Sequence, residues 1–251
     1  DEMHFSAACW RRVFMRMEVL SDAEAVAKKA AAVIAEKGRA AVAARGRFLM
    51  AVSGGKTPWI MLRALADEAV LWEAVHVVQV DERVAPSGHR DRNLTHLREP
   101  LLEHAPLREA QIYPMPVEAS DLETAATAYS QTLRDIAGTP PVLDLAHLGL
   151  GPDGHTASLV PGDPVLKVVD RDVAITEVYQ GRTRMTLTYP LLNRSQNILW
   201  VVTGTEKVLM LKRLLEGDVS IPAGSIRRDS ALIIADRAAA GEETSAYYEA
   251  R

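Results

Sequence analysis

Short, largely apolar runs set between stretches of helical periodicity constrain this chain more than any other feature. Phe48 to Val52, Val75 to Val80, Leu143 to Leu148, Asn197 to Thr203 and Ala231 to Ala235 are too short for ordinary helices and show little apolar/polar alternation. They read as strands covered on both faces, the kind found in parallel sheets. Ser21 with Glu24 reads as a capping box, opening a helix with Val26, Ala30, Val33 and Ile34 on one face through about Arg45. Thr57 and Pro58 take the N-cap and first-turn positions of a second helix. Residues 93 to 103 give another, as does the set Leu122, Ala125, Ala126, Tyr129, Leu133 and Ile136. A late helix with Val208, Leu211 and Leu215 on one face ends near Gly217. Strands alternating with helices predict an α/β fold, a mainly parallel sheet with helices on both faces. The 251 residues hold no Pro/Gly/Ser-rich linker, so a single domain is expected. In such a sheet, right-handed crossovers bring the loops leaving the strands' carboxyl ends to one edge, where ligands settle.

Composition narrows the function classes. A net charge of -4 removes the clustered excess of Lys and Arg that nucleic acid or an anionic membrane surface requires. Cys9 is the single cysteine, so the chain closes no internal disulfide and builds no cysteine metal cluster, which suits a reducing compartment. No apolar run approaches the roughly 20 residues that span a bilayer, and Arg11, Arg12 and Arg16 interrupt the opening stretch. A cytoplasmic monomer is expected, without nucleic-acid or membrane partners. Residues 1–16 differ in character from the rest of the chain and read as an extension, non-native or disordered, ahead of a domain over residues 17–251.

Four segments carry candidate chemistry. Ser53-Gly54-Gly55-Lys56-Thr57-Pro58 joins a strand to a helix start, where glycines admit a ligand to the backbone and unpaired N–H groups attract an anion. A nucleotide P-loop would need a glycine where Met50 stands. The alternative is a plain strand-to-helix turn. Asp81-Glu82-Arg83 follows an apolar strand directly and reads either as a solvated loop or as groups that orient a hydroxyl or phosphate, with Asn93 adding hydrogen bonds. Gly149 to Leu159 contains a formal GxGxxG, but Pro161, Gly162 and Pro164 deny it the long helix that a dinucleotide site needs. Asp153 and His155 in this segment suit proton transfer, the carboxylate fixing the tautomer of the imidazole. His147, inside an apolar strand, reads as structural. Arg184 and Lys207 complete the cations a dianionic phosphate needs, although Glu206 beside Lys207 and an edge-strand position for Arg184 would serve as ordinary explanations. Histidines at metal-ligand spacing are lacking, so neither metal nor other cofactor is expected.

SGGKTP, VDERV with Asn93, LGLGPDGHTASLVPG, RMTLT and TGTEK occur here in an order that resembles the 6-phosphogluconolactonases, over roughly residues 20 to 236. The same superfamily includes glucosamine-6-phosphate deaminases. The resemblance implies a Rossmann-like sheet, hydrolysis of 6-phospho-D-glucono-1,5-lactone, and a place in the oxidative pentose phosphate pathway. On this reading His155, Asp153 and Arg83 are the expected catalytic groups. Ser53, Gly54, Gly55, Thr57, Asp81, Arg184 and Lys207 are the expected substrate-binding groups. The similar deaminases carry an acid after their histidine segment, where this chain runs Ser158-Leu159-Val160-Pro161. Arg92, where a serine is usual in the lactonases, and Val160, where phenylalanine is common, depart from the pattern. A deaminase or isomerase, or a non-catalytic sugar-phosphate sensor, stands as the alternative.

Overall fold

The computed structural model describes residues 15–249. The chain runs β1 (Arg16–Leu20), α1 (Ala23–Arg45), β2 (Phe48–Val52), α2 (Lys56–Ala66), β3 (Val75–Gln79), β4 (Asp81–Arg83), α3 (Asn93–Arg98) and β5 (Ile112–Tyr113). It continues through α4 (Leu122–Ala137), β6 (Leu145–Leu148), β7 (Val173–Ile175), β8 (Arg184–Leu187) and α5 (Tyr189–Arg194). It ends with β9 (Asn197–Val202), α6 (Val208–Glu216), β10 (Ala231–Asp236) and α7 (Arg237–Glu249). Seven strands form one sheet in the order β1-β10-β9-β6-β2-β3-β5, and every pairing in it is parallel.

The period-two geometry of a strand explains the uniform apolarity read from the sequence. Along β2, Leu49 and Ala51 join one core while Phe48, Met50 and Val52 join the other, on the opposite face. β9 divides in the same way, Ile198, Trp200 and Val202 against Leu199 and Val201. Helices α1, α2 and α3 cover one face; α4, α5, α6 and α7 cover the other. No helix of the described residues is long and apolar enough to cross a membrane.

Several local expectations need correction. Arg16, placed by sequence in the extension, opens β1, which pairs with β10 from Arg16↔Leu232 to Leu20↔Asp236; residues 1–14 of that expected extension lie outside the described residues. The cap of α1 is Asp22, whose carboxylate accepts from the Ala25 N–H at 2.9 Å, while the Ser21 hydroxyl donates to Asp22. The N-cap of α2 is Gly55 and not Thr57, which falls inside the first turn. In α6 the covered face is Met210, Leu211 and Leu214, with Val208 exposed. The polar segment after β3 is itself a strand: β4, β8 and β7 form a second, antiparallel sheet in that order. Arg184 therefore sits on a central strand, only 3% exposed.

Strand order locates the functional edge. From β2 the chain moves outward to β3 and β5, then returns to place β6 on the other side of β2, from which β9, β10 and β1 extend. The loops leaving β2 and β6 diverge at this reversal, and a crevice opens between them at the carboxyl ends of the strands. Those loops carry Ser53 to Gly55 and Gly149 to His155.

Candidate active site

A cleft of about 190 Å³ lies at this switch point, and Ser53, Gly54, Asp81, Arg83, His155, Arg184 and Lys207 all line it. Residues as distant in sequence as Ser53 and Lys207 thus share one cavity. Asn93 lines it as well. Among the expected site residues, Gly55 and Thr57 are outside the lining; the Thr57 hydroxyl instead meets that of Thr203 at 2.8 Å. Asp153 stands behind His155.

The middle glycine of the GxGxxG segment is explained by space for side chains. A Cβ on Gly151 would come within 2.1 Å of His155 Nδ1 and 2.7 Å of Asp153 Oδ1. That glycine leaves room for the His155 Nδ1–H to donate to Asp153 Oδ1 at 2.6 Å. A carboxylate only accepts, so this bond places the proton on Nδ1 and leaves the Nε2 lone pair free. Burial pushes the Asp153 carboxyl up, but the His155 N–H bond, the imidazole charge and the Tyr179 hydroxyl bond outweigh it and lower its pKa overall. After the pair, Ala157 takes φ 52, a left-handed conformation that costs a residue with a Cβ about 1 kcal/mol, within the tight turn closed by Leu159 N–H on Thr156 O.

The β4 side of the cleft is held by buried carboxylates. Glu82, fully buried, accepts from the backbone N–H groups of Arg83, Asn93 and Leu94 and from the Gln79 amide, and Arg92 Nε lies 3.1 Å from it. Arg92, 3% exposed, also reaches the exposed Glu118 at 2.8 Å, and the departure from serine at this position supplies the cation of the buried pair with Glu82. Together these bonds fix Asn93, whose Oδ1 accepts from Arg83 at 3.0 Å and whose Nδ2 donates to Asp81. A Cβ on Gly54 would stand 2.0 Å from Asn93 Oδ1, so the glycine of the β2 loop is what lets Asn93 approach. Asp81 accepts from the Ser158 hydroxyl at 2.5 Å.

Cationic groups here are under-compensated. Among the described residues no carboxylate pairs with Arg184 or Arg83, and Arg184 Nε is buried without a partner. Burial lowers the Arg184 pKa, with Arg83 adding to the effect and Asp81 and Tyr179 opposing it. Lys207 meets Glu206 at only 3.7 Å. The Ser53 N–H is already committed to His147 Nδ1 at 3.2 Å, and the Ser53 hydroxyl donates to His147 O. An incoming anion would therefore meet the guanidinium groups, the ammonium and the uncapped first turn of α2. The exposed group Glu99, Glu103 and His104, the one place among the described residues where such side chains gather closely, lies outside the cleft lining, with Glu99 on Arg63.

Sequence reasoning missed Tyr179 and Gln180, at the tip between β7 and β8. Tyr179 donates to Asp153 Oδ2 at 3.0 Å, meets the His155 ring edge-on at 5.5 Å, and lies under Arg184 at 4.9 Å. The only signal available was the Gln180-Gly181 turn, which says nothing about where its ring points.

A family model described as glucosamine-6-phosphate isomerases/6-phosphogluconolactonase matches residues 21–234. A 6-phosphogluconolactonase of Synechocystis sp. is 41% identical over 162 residues, 63% of this chain and 67% of that protein. One of Nostoc sp. is 32% identical over 91% of this chain and 98% of its own. The crystal structure of a 6-phosphogluconolactonase from Thermotoga maritima superposes with a TM-score of 0.78 at 26% identity, over 88% of this chain and 98% of that one. A monomeric glucosamine-6-phosphate deaminase also gives a TM-score of 0.78, at 18% identity over 90% and 99% of the two chains, a likeness of fold alone.

Proposed function

Because the chain belongs to the glucosamine-6-phosphate isomerase/6-phosphogluconolactonase family, we propose that its cleft hydrolyses 6-phospho-D-glucono-1,5-lactone to 6-phospho-D-gluconate, the lactone-opening step of the oxidative pentose phosphate pathway. One observation carries the reading: an oriented imidazole and several under-compensated cations line the same small cleft. The lactonase branch is favoured over the deaminases by the named relatives and by Ser158, whose hydroxyl is committed to Asp81 in a segment without an acid for opening an aminosugar ring.

Arg184, Lys207 and the uncapped first turn of α2, reached past Gly54 and Gly55, hold the phosphate, and that remote binding orients the lactone carbonyl toward His155. His155 Nε2 takes a proton from water as the water oxygen bonds to C1 and the carbonyl electron pair moves onto oxygen. Arg83, steadied by Asn93, faces the developing oxyanion, and Asp81 holds a ring hydroxyl. When the carbonyl reforms, the bond from C1 to the ring oxygen breaks, and that oxygen takes the proton back from the imidazolium. The product acid then ionises. Asp153 keeps the imidazole in the required tautomer throughout.

Acid release from freshly prepared lactone, followed above the spontaneous rate, tests the reading. His155→Ala should lower kcat by about 10²- to 10⁴-fold, the usual scale of a general base. Unchanged turnover would remove His155 from the reaction, and ammonia release from glucosamine 6-phosphate by the wild type would move the chain to the deaminase branch.

A further inference from the structure

We propose that Tyr179 is a positioning residue with two separable tasks: its hydroxyl holds the Asp153–His155 pair and its ring holds Arg184, so that one side chain fixes both ends of the cleft relative to each other. The inference rests on the lactonase reading for its kinetic test and on geometry for its substance.

Asp153 has two oxygens and two different donors: Oδ1 takes the His155 Nδ1–H at 2.6 Å and Oδ2 takes the Tyr179 O–H at 3.0 Å. With both oxygens occupied, the carboxylate cannot swing away from the imidazole without breaking the bond to Tyr179. The phenol also meets the His155 ring edge-on, interplanar angle 68°, which opposes tilting of the imidazole. Arg184 in turn lies over the face of the ring, its guanidinium 4.9 Å from the centroid, a cation–π distance. Gln180 closes the arrangement: its Nε2 donates to the Tyr179 hydroxyl and its Oε1 accepts from Arg184, both at 3.3 Å. Burial, then the bond to Asp153 and its negative charge, raise the phenol pKa, so the group remains a donor across the working pH range.

The tip that carries these residues is anchored from outside the cleft. Tyr179 and Arg182 exchange backbone hydrogen bonds, and the Arg182 guanidinium is fastened to Asp91 at 3.0 Å, on the loop between β4 and α3. The ring is therefore held by backbone bonds and an ion pair that involve neither His155 nor Arg184.

Tyr179→Phe and Tyr179→Leu separate the two tasks. Phenylalanine keeps the ring and removes the donor; kcat should fall about tenfold, the scale of one hydrogen bond to a charged group, with KM unchanged. Leucine removes both, and should add a rise in KM of about fivefold as Arg184 loses its platform. Restoration of KM but not kcat on going from leucine to phenylalanine is the expected signature, one that general loosening of the fold would not give. A Tyr179→Phe enzyme with wild-type kcat, or equal KM changes in both variants, would overturn the proposal. A wild type that releases no acid from the lactone would refute the lactonase reading itself. The positioning role is then decided by the His155 Nδ1–H proton resonance, assigned by its loss in His155→Gln: it should shift or exchange faster in Tyr179→Phe, and an unmoved signal sinks the idea.

Discussion

His147 shows how a single buried side chain ties the stability of this protein to pH. Fully buried beneath the β2 loop, it accepts the Ser53 N–H at Nδ1, and its Nε2 has no partner among the described residues. Burial lowers its pKa from 6.5 to about 4. The unfolded chain takes up a proton below about pH 6.5 while the folded chain stays neutral at this site until about pH 4, so the unfolded state is favoured progressively as pH falls through that window. The associated loss is roughly 3 kcal/mol, complete near pH 4 and absent above about pH 7. Denaturant midpoints for wild type and His147→Asn, which preserves an acceptor near Nδ1, should converge as pH drops from about 7 to about 4; parallel acid profiles would show that His147 does not carry the effect. The sequence marked this histidine as structural from its apolar strand, and marked His155 as chemical from its place in the loop after that strand, beside Asp153. It held no sign of Tyr179, whose importance depends on a ring reaching across from another loop, a relation that neither spacing nor periodicity encodes.

The five inner strands of the parallel sheet, β2, β3, β6, β9 and β10, were legible because each is largely apolar on both faces. Those of the second sheet were not. β4 is three residues long and wholly charged, with Glu82 and Asp81 buried by hydrogen bonding instead of by apolar contact, so its sequence reads as a solvated loop. β1 was hidden for a different reason: as an edge strand it is buried on only part of its surface and begins in an Arg-containing stretch. The start of α1 illustrates how near misses arise, since Ser21 and Asp22 are adjacent and both are good caps. The structure gives the task to Asp22, so Asp22→Ala should cost about 1 kcal/mol in a thermal or denaturant melt. Ser21→Ala should stay within about 0.5 kcal/mol, as for surface substitutions away from a cap. The reverse order would return the cap to Ser21.

For the whole molecule, under-compensated cations in the cleft mean that the folded state gains from any anion that fits. On the proposed function, 6-phosphogluconate at about one hundred times its Kd contributes about 2.7 kcal/mol to folding. That should raise Tm by roughly 5 to 10 °C in a domain of this size. Gluconate, which lacks the phosphate, should leave Tm unchanged at the same concentration; an equal shift from gluconate would relocate the binding energy away from Arg184 and Lys207. The two walls of the cleft also belong to different sheets, the β2 and β6 loops to the parallel one and Asp81, Arg83 and Arg184 to the antiparallel one. Backbone bonds stitch the sheets together at Val80, whose N–H donates to Val52 O and whose carbonyl accepts from Leu187. Such a cleft behaves as a caliper with a fixed jaw. Its opening is set by main-chain hydrogen bonding; on the proposed function a phosphorylated lactone one carbon shorter would seat its phosphate and leave its carbonyl short of the imidazole, and the length of the ligand becomes the quantity being gauged.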